Sequence, residues 1–206
     1  MTRIEYVALT LLLCGPACGG ERAAQSAQSP ASGERAAASG SPAAVDSIFT
    51  PVEELRRFQR NLPVATSLDP VAKHRDSLVL AFVRAVEAAD TAALIGMHLH
   101  LDEFAYLYYP DSRFTRPPLQ LKPEVLWLQI QQNSEKGLVR LLRRLAGRPF
   151  GFQDYACDDA AVSEGRNHLW ERCTVRLVGR DEPVVLFGTI FERDGRYKFV
   201  SYANDF

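Results

Sequence analysis

The apolar residues of this chain change period once, near residue 150, and no other feature restricts the fold as much. Before that point they recur at helical spacing. Thr50-Pro51-Val52-Glu53 is a capping box with proline at the first helical position, and it predicts a short helix that closes at Asn61 and Pro63. Asp69-Pro70 opens a second predicted helix over 70–89, with Leu78, Phe82 and Val86 four residues apart. Asp90 caps a third over 91–98, and residues 102–109 form a fourth that stops at Pro110. The proline-rich stretch 110–122 reads as a loop. Pro123 starts a fifth helix. Ser134 then caps a sixth, whose leucine stripe at Leu138, Leu141, Leu142 and Leu145 ends at Gly147 and Pro149. Past residue 150 the pattern predicts four strands, at 150–158, 167–178, 183–193 and 196–203, the last two joined by an Asp194-Gly195 hairpin. Helices first and an antiparallel meander last imply an α+β domain, with N-terminal helices packed on a mostly antiparallel, four-stranded C-terminal sheet.

The N-terminus carries a different signal. Arg3 precedes an apolar run from Tyr6 to Leu13, which leads into Cys14-Gly15-Pro16-Ala17-Cys18-Gly19-Gly20. The run is far shorter than the ~20 residues that span a bilayer, so it reads as an export signal. The cysteine among small residues resembles the lipobox of bacterial lipoproteins. That resemblance implies cleavage after residue 17 and acylation of Cys18, with Cys14 as the alternative, so that the membrane is reached through a lipid anchor. Ordinary cleaved secretion is the competing reading. Gly19 is not the aspartate that resembles an inner-membrane retention signal, which favours the periplasmic face of an outer membrane in a Gram-negative host.

Within the stretch 18–46, residues 19–44 are Ala, Ser, Gly, Gln and Pro with a few charges and lack the large apolar groups needed to offset ordering. They read as a tether reaching roughly 25–30 Å. Residues 47–206 are long enough for one domain with a core. A net charge of −1 over 206 residues gives no electrostatic case for nucleic acid. Cys157 and Cys173 lie eight residues either side of Gly165, so a hairpin centred there sets them opposite one another as a disulfide, in keeping with an oxidising compartment.

Asp90-Thr91-Ala92-Ala93-Leu94 in a second core helix, and the terminal segment Gly195-Arg196-Tyr197-Lys198-Phe199-Val200-Ser201-Tyr202-Ala203-Asn204-Asp205, resemble the NTF2-like (SnoaL-like) superfamily. The resemblance covers about 70–206 and implies a curved sheet wrapped around helices as a cone with a pocket. Members of that superfamily include isomerases, dehydratases, hydrolases and non-catalytic binding modules, so the fold does not choose the function. The catalytic members use an acid–base pair inside the cone. Asp154 and His168 are the candidates here, although neither aligns with a family position.

Other constellations are read from the residues. His98, His100 and Asp102 would share one side of a strand as metal ligands, and would diverge on a helix. Tyr106, Tyr109, Trp127, Trp170 and Tyr202 are candidates for the wall of a ligand pocket, or else core aromatics. Arg140, Arg143, Arg144 and Arg148 form a basic face opposite the leucine stripe, which would touch anionic lipid or simply be solvated. No nucleophile elbow, P-loop, dinucleotide fingerprint or paired-cysteine metal motif occurs, and nothing calls for a cofactor. The expectation is a non-catalytic envelope domain that binds a small ligand or an envelope protein, with homodimerisation through the sheet open. The alternative is an envelope enzyme doing acid–base chemistry of the isomerase, dehydratase or hydrolase type in the pocket.

Overall fold

The structure, a computed structural model, describes residues 49–69 and 72–205. The leader, Cys14, Cys18 and the tether over 18–46 lie outside the described residues. The described residues form a compact α+β unit.

Helix α1 (Pro51–Gln59) starts as its capping box dictates, with the Thr50 hydroxyl accepting the Glu53 N–H at 3.3 Å. Helix α2 (Arg75–Glu87) begins five residues later than the Asp69-Pro70 signal predicts. Tertiary pairing overrides that signal: the Tyr197 N–H donates to the Ala72 carbonyl at 3.1 Å, which holds Ala72 extended against the last strand. Its buried face holds the predicted Leu78, Phe82 and Val86, with Val79 and Val83 beside them. Helix α3 (Thr91–Met97) is capped by Asp90, whose carboxylate accepts the Ala93 N–H at 2.9 Å. Helix α4 (Leu101–Glu103) widens into a π-helical turn, Phe104–Tyr108, and tightens into a 3₁₀ turn, Tyr109–Asp111.

Helix α5 (Pro123–Leu145) is one helix of 23 residues, where a break before Ser134 was expected. Leu126, Ile130, Ser134, Gly137 and Leu141 form an uninterrupted buried stripe at three- and four-residue steps, so Ser134 is an interior residue and not a cap.

The strands form two sheets where a single four-stranded one was predicted. Strand β1 (Phe152–Ala156) pairs with β4 (Thr174–Leu177), while β2 (Val162–Glu164), β3 (Asn167–Trp170), β5 (Ile190–Arg193) and β6 (Arg196–Phe199) make an antiparallel sheet in that order. The predicted strand 167–178 divides at Arg172, which takes a positive φ of 47° and turns the chain out of the larger sheet. Of the predicted strand 183–193, only the last four residues enter the larger sheet, and Val184 makes a separate two-bond bridge to Val175.

The ladder of β1 and β4 keeps the register that places residue 157 opposite 173, and Cys157 and Cys173 are disulfide-bonded. At the tip the pairing slips by one, Glu164 opposite Asn167, because the turn uses two residues, Gly165 and Arg166. The Asp194-Gly195 turn forms as predicted, with both residues at positive φ.

The larger sheet carries a core on each face, although Ser163 and His168 at its β2–β3 end reach solvent. Ile190 and Phe199 face a core with Phe82, Val86, Leu141 and Tyr202, while Phe191 and Leu169 face a second core with Phe104, Tyr108, Leu126 and Ile130. The C-terminal segment past β6 then crosses α5. The Tyr202 N–H donates to Ser134 Oγ at 3.3 Å, and Asn204 Nδ2 donates to the Gly137 carbonyl at 2.8 Å.

Candidate functional site

A cavity of about 310 Å³ opens between the end of α3 and the middle of α5, with Tyr202 in its wall. Helix α5 presents Trp127, Gln131, Ser134 and Leu138 to it, at successive steps of four, three and four residues. Ile95 and Leu99 complete the apolar lining, and His98 stands among them.

His98 ends α3 in an extended conformation (φ −88°, ψ 152°), the backbone geometry that aligns Leu99 with Phe199 of β6. Its Nε2 lies 2.7 Å from Ser134 Oγ. Ser134 Oγ also accepts the Tyr202 N–H, so the imidazole, the hydroxyl and the C-terminal backbone form one hydrogen-bonded chain. Burial, with the His100 and Lys198 charges added, holds the His98 pKa down at about 4, against a weaker opposing hydrogen bond from the imidazole to the Val200 backbone. The Tyr202 hydroxyl donates to the Leu94 carbonyl at 2.6 Å, and burial raises its pKa. The deep polar groups of the cavity therefore satisfy one another. Exposed Gln131 and Glu135, joined by a 3.1 Å hydrogen bond, edge it on the α5 side, and half-buried His100 lines the other.

The candidate residues read from the sequence separate. Trp127 and Tyr202 line the cavity. Tyr106 and Tyr109 turn instead to the second core, their hydroxyls donating to the Gln59 and Leu121 carbonyls, and Trp170 packs beneath the Arg75 guanidinium, 4.0 Å from its ring centre. Neither acid–base candidate reaches the cavity. Asp154 is exposed on β1 and bound by Arg176 at 2.6 and 2.8 Å, and this pairing lowers its pKa, the reverse of what a base requires. His168 sits on β3 beside Ser163 and Glu192.

His98, His100 and Asp102 do not converge. His98 enters the cavity, and His100 instead groups with Asp69 and Glu103, whose potential donor atoms lie within 4.8 Å of one another. The Glu103 carboxylate in that group already holds the Lys198 ammonium at 2.8 Å and the Asp69 and His100 N–H groups at 2.8 and 2.9 Å, so its donor capacity is spent inside the protein. Ser134 reads from the sequence as a helix cap and Leu138 as part of the leucine stripe, and the structure brings both to the cavity. The spacing of Trp127, Gln131, Ser134 and Leu138 on one continuous helix was the signal that would have found them.

No protein-family model, curated protein or solved structure matches this chain. What the cavity does has to follow from its own chemistry.

The depressed His98 pKa has a consequence for stability. The unfolded chain takes up a proton near pH 6.5 and the folded one only near 4, so stability is lost as pH falls between those values. The loss should reach about 3 kcal/mol, and urea unfolding from pH 7 to 4 should show it in the native chain and show a shallower slope in His98→Gln. Equal slopes would mean that His98 titrates normally.

Proposed function

We propose that this protein is a cell-envelope lipoprotein whose α+β domain, of NTF2-like type, binds a small, largely apolar ligand without transforming it. The observation that carries this reading is the cavity itself: apolar walls enclose polar groups that are already paired, leaving a ligand nothing unpaired at depth. The disulfide supports an oxidising compartment, and the lipobox resemblance supports anchoring through Cys18.

The test is titration of the full chain with the fluorescent apolar probe N-phenylnaphthylamine. Ile95 is 55% exposed and Gln131 is exposed, so both can be changed without disturbing the core. Ile95→Asp and Gln131→Trp should each weaken probe binding about ten-fold, equivalent to about 1.4 kcal/mol, while Leu80→Asp on α2 should leave it unchanged. Equal binding by all four proteins would remove the cavity as the ligand site.

One observation favours the catalytic alternative. The 2.7 Å contact between Ser134 and His98 is the geometry of a nucleophile and its base. Against it stand an imidazole too weakly basic to activate a hydroxyl and a serine whose oxygen already accepts the Tyr202 N–H. Stoichiometric labelling by a fluorophosphonate, abolished in Ser134→Ala, would establish the enzyme reading in place of binding.

A further inference from the structure

The outer face of α5 is not used by the core or by the cavity. Val125, Leu128 and Val139 are 42, 53 and 56% exposed, on the side of the helix away from the buried stripe. Lys136 and Arg143 share that face at the same three- and four-residue steps, and Arg140 flanks it. Residues 135–148 hold five cations, Lys136, Arg140, Arg143, Arg144 and Arg148, and one acid, Glu135, for a net charge of +4. The whole chain is −1, so everything outside this stretch sums to −5. Cations and exposed aliphatic groups are therefore gathered along α5 and the turn that follows it.

We infer that this face of α5 docks on an anionic lipid bilayer, with the aliphatic side chains entering the headgroup layer and Lys136, Arg140 and Arg143 meeting lipid phosphates. Charge complementarity selects an anionic surface, and the mixture of arginine and aliphatic groups along a single helix is the composition of an interfacial helix. Proximity to a bilayer rests on the anchoring reading above. The tether would keep the domain within roughly 25–30 Å of the membrane, where a weak surface affinity is enough to orient it.

The experiment uses the full chain with Cys14→Ser and Cys18→Ser, so that no acyl group contributes and the leader affects every variant equally. Binding is measured by co-sedimentation with phosphatidylcholine vesicles, with and without about 30% phosphatidylglycerol. The anionic vesicles should bind at least about ten-fold more tightly, and high salt should remove the difference. Arg140→Glu/Arg143→Glu should abolish the preference, and Leu128→Ser/Val139→Ser should weaken binding several-fold. Arg84→Glu/Lys73→Glu, an equal charge change elsewhere, should retain at least half of it.

Equal binding to both vesicles, or equal loss from the control pair, would overturn the proposal. So would an aliphatic double variant that binds like the parent. Retention on polyglutamate without vesicle binding would overturn it in favour of an acidic protein partner. Failure of the anchoring reading is read separately, as a mature mass without acyl chains, and leaves the vesicle result standing.

Discussion

Lys198→Met should destabilise the protein by about 4 kcal/mol, with Glu103→Gln/Lys198→Met recovering at least half of that loss. Lys198 on β6 is fully buried and Glu103 at the end of α4 is 2% exposed, with the ammonium and carboxylate 2.8 Å apart. The carboxylate also accepts the Asp69 and His100 N–H groups, so it ties together the segment before α2, the start of α4 and the sheet. Removing the lysine alone leaves a buried anion with two amide donors and no counter-charge, and that uncompensated charge is the main loss. Neutralising Glu103 as well removes the anion while keeping an acceptor for the amides. Urea unfolding of the two variants decides the matter. A double variant no more stable than Lys198→Met would show that the lysine stem, and not its charge, supports the fold. A second readout follows from the Lys198 charge, which helps to hold the His98 pKa down: in Lys198→Met, NMR titration should find the His98 pKa shifted upward from about 4.

Local signals were the legible part of this sequence. Thr50 and Asp90 cap helices with their own side chains, Asp194-Gly195 closes a hairpin, and Gly165 centres the ladder that brings Cys157 to Cys173. Each depends on a few neighbouring residues, and so does the α+β class that their order implies. What was misread depends on distant partners. The start of α2 is displaced because Ala72 is held by Tyr197, 125 positions away in the chain. The apparent cap at Ser134 is an interior hydroxyl that bonds Tyr202 and His98. Lys198 carries no mark of burial, because β6 is covered on both faces and simple alternation does not distinguish its inner side. Asp154 failed as a base for the same kind of reason, since its partner Arg176 lies on a strand whose register only the folded ladder fixes.

Gly137→Ala should cost about 3 kcal/mol or more, the reverse of what helix propensity alone would give. Gly137 lies inside α5, where alanine is ordinarily preferred by about 1 kcal/mol. Here the C-terminal segment crosses the helix so closely that an added Cβ would sit 1.6 Å from the Tyr202 carbonyl oxygen and 3.0 Å from Asn204 Nδ2. Both of those groups are fixed. Asn204 Nδ2 bonds the Gly137 and Tyr202 carbonyls at 2.8 and 3.0 Å, and the Tyr202 side chain is locked in the core. The clash is therefore with backbone that has no room to yield, and relief requires lifting the segment that carries Tyr202 away from α5. That movement would also break the Tyr202 N–H bond to Ser134 and open the cavity wall, so probe binding should fall together with stability. Gly96→Ala is the matched control. It lies in α3, a Cβ there would meet nothing within 4 Å, and it should be neutral or stabilise by up to about 1 kcal/mol. Thermal and urea unfolding of the two variants should give opposite signs. A Gly137→Ala protein as stable as the parent would mean that α5 and the C-terminal segment do not meet at this distance, and the cavity built on that crossing would lose its support.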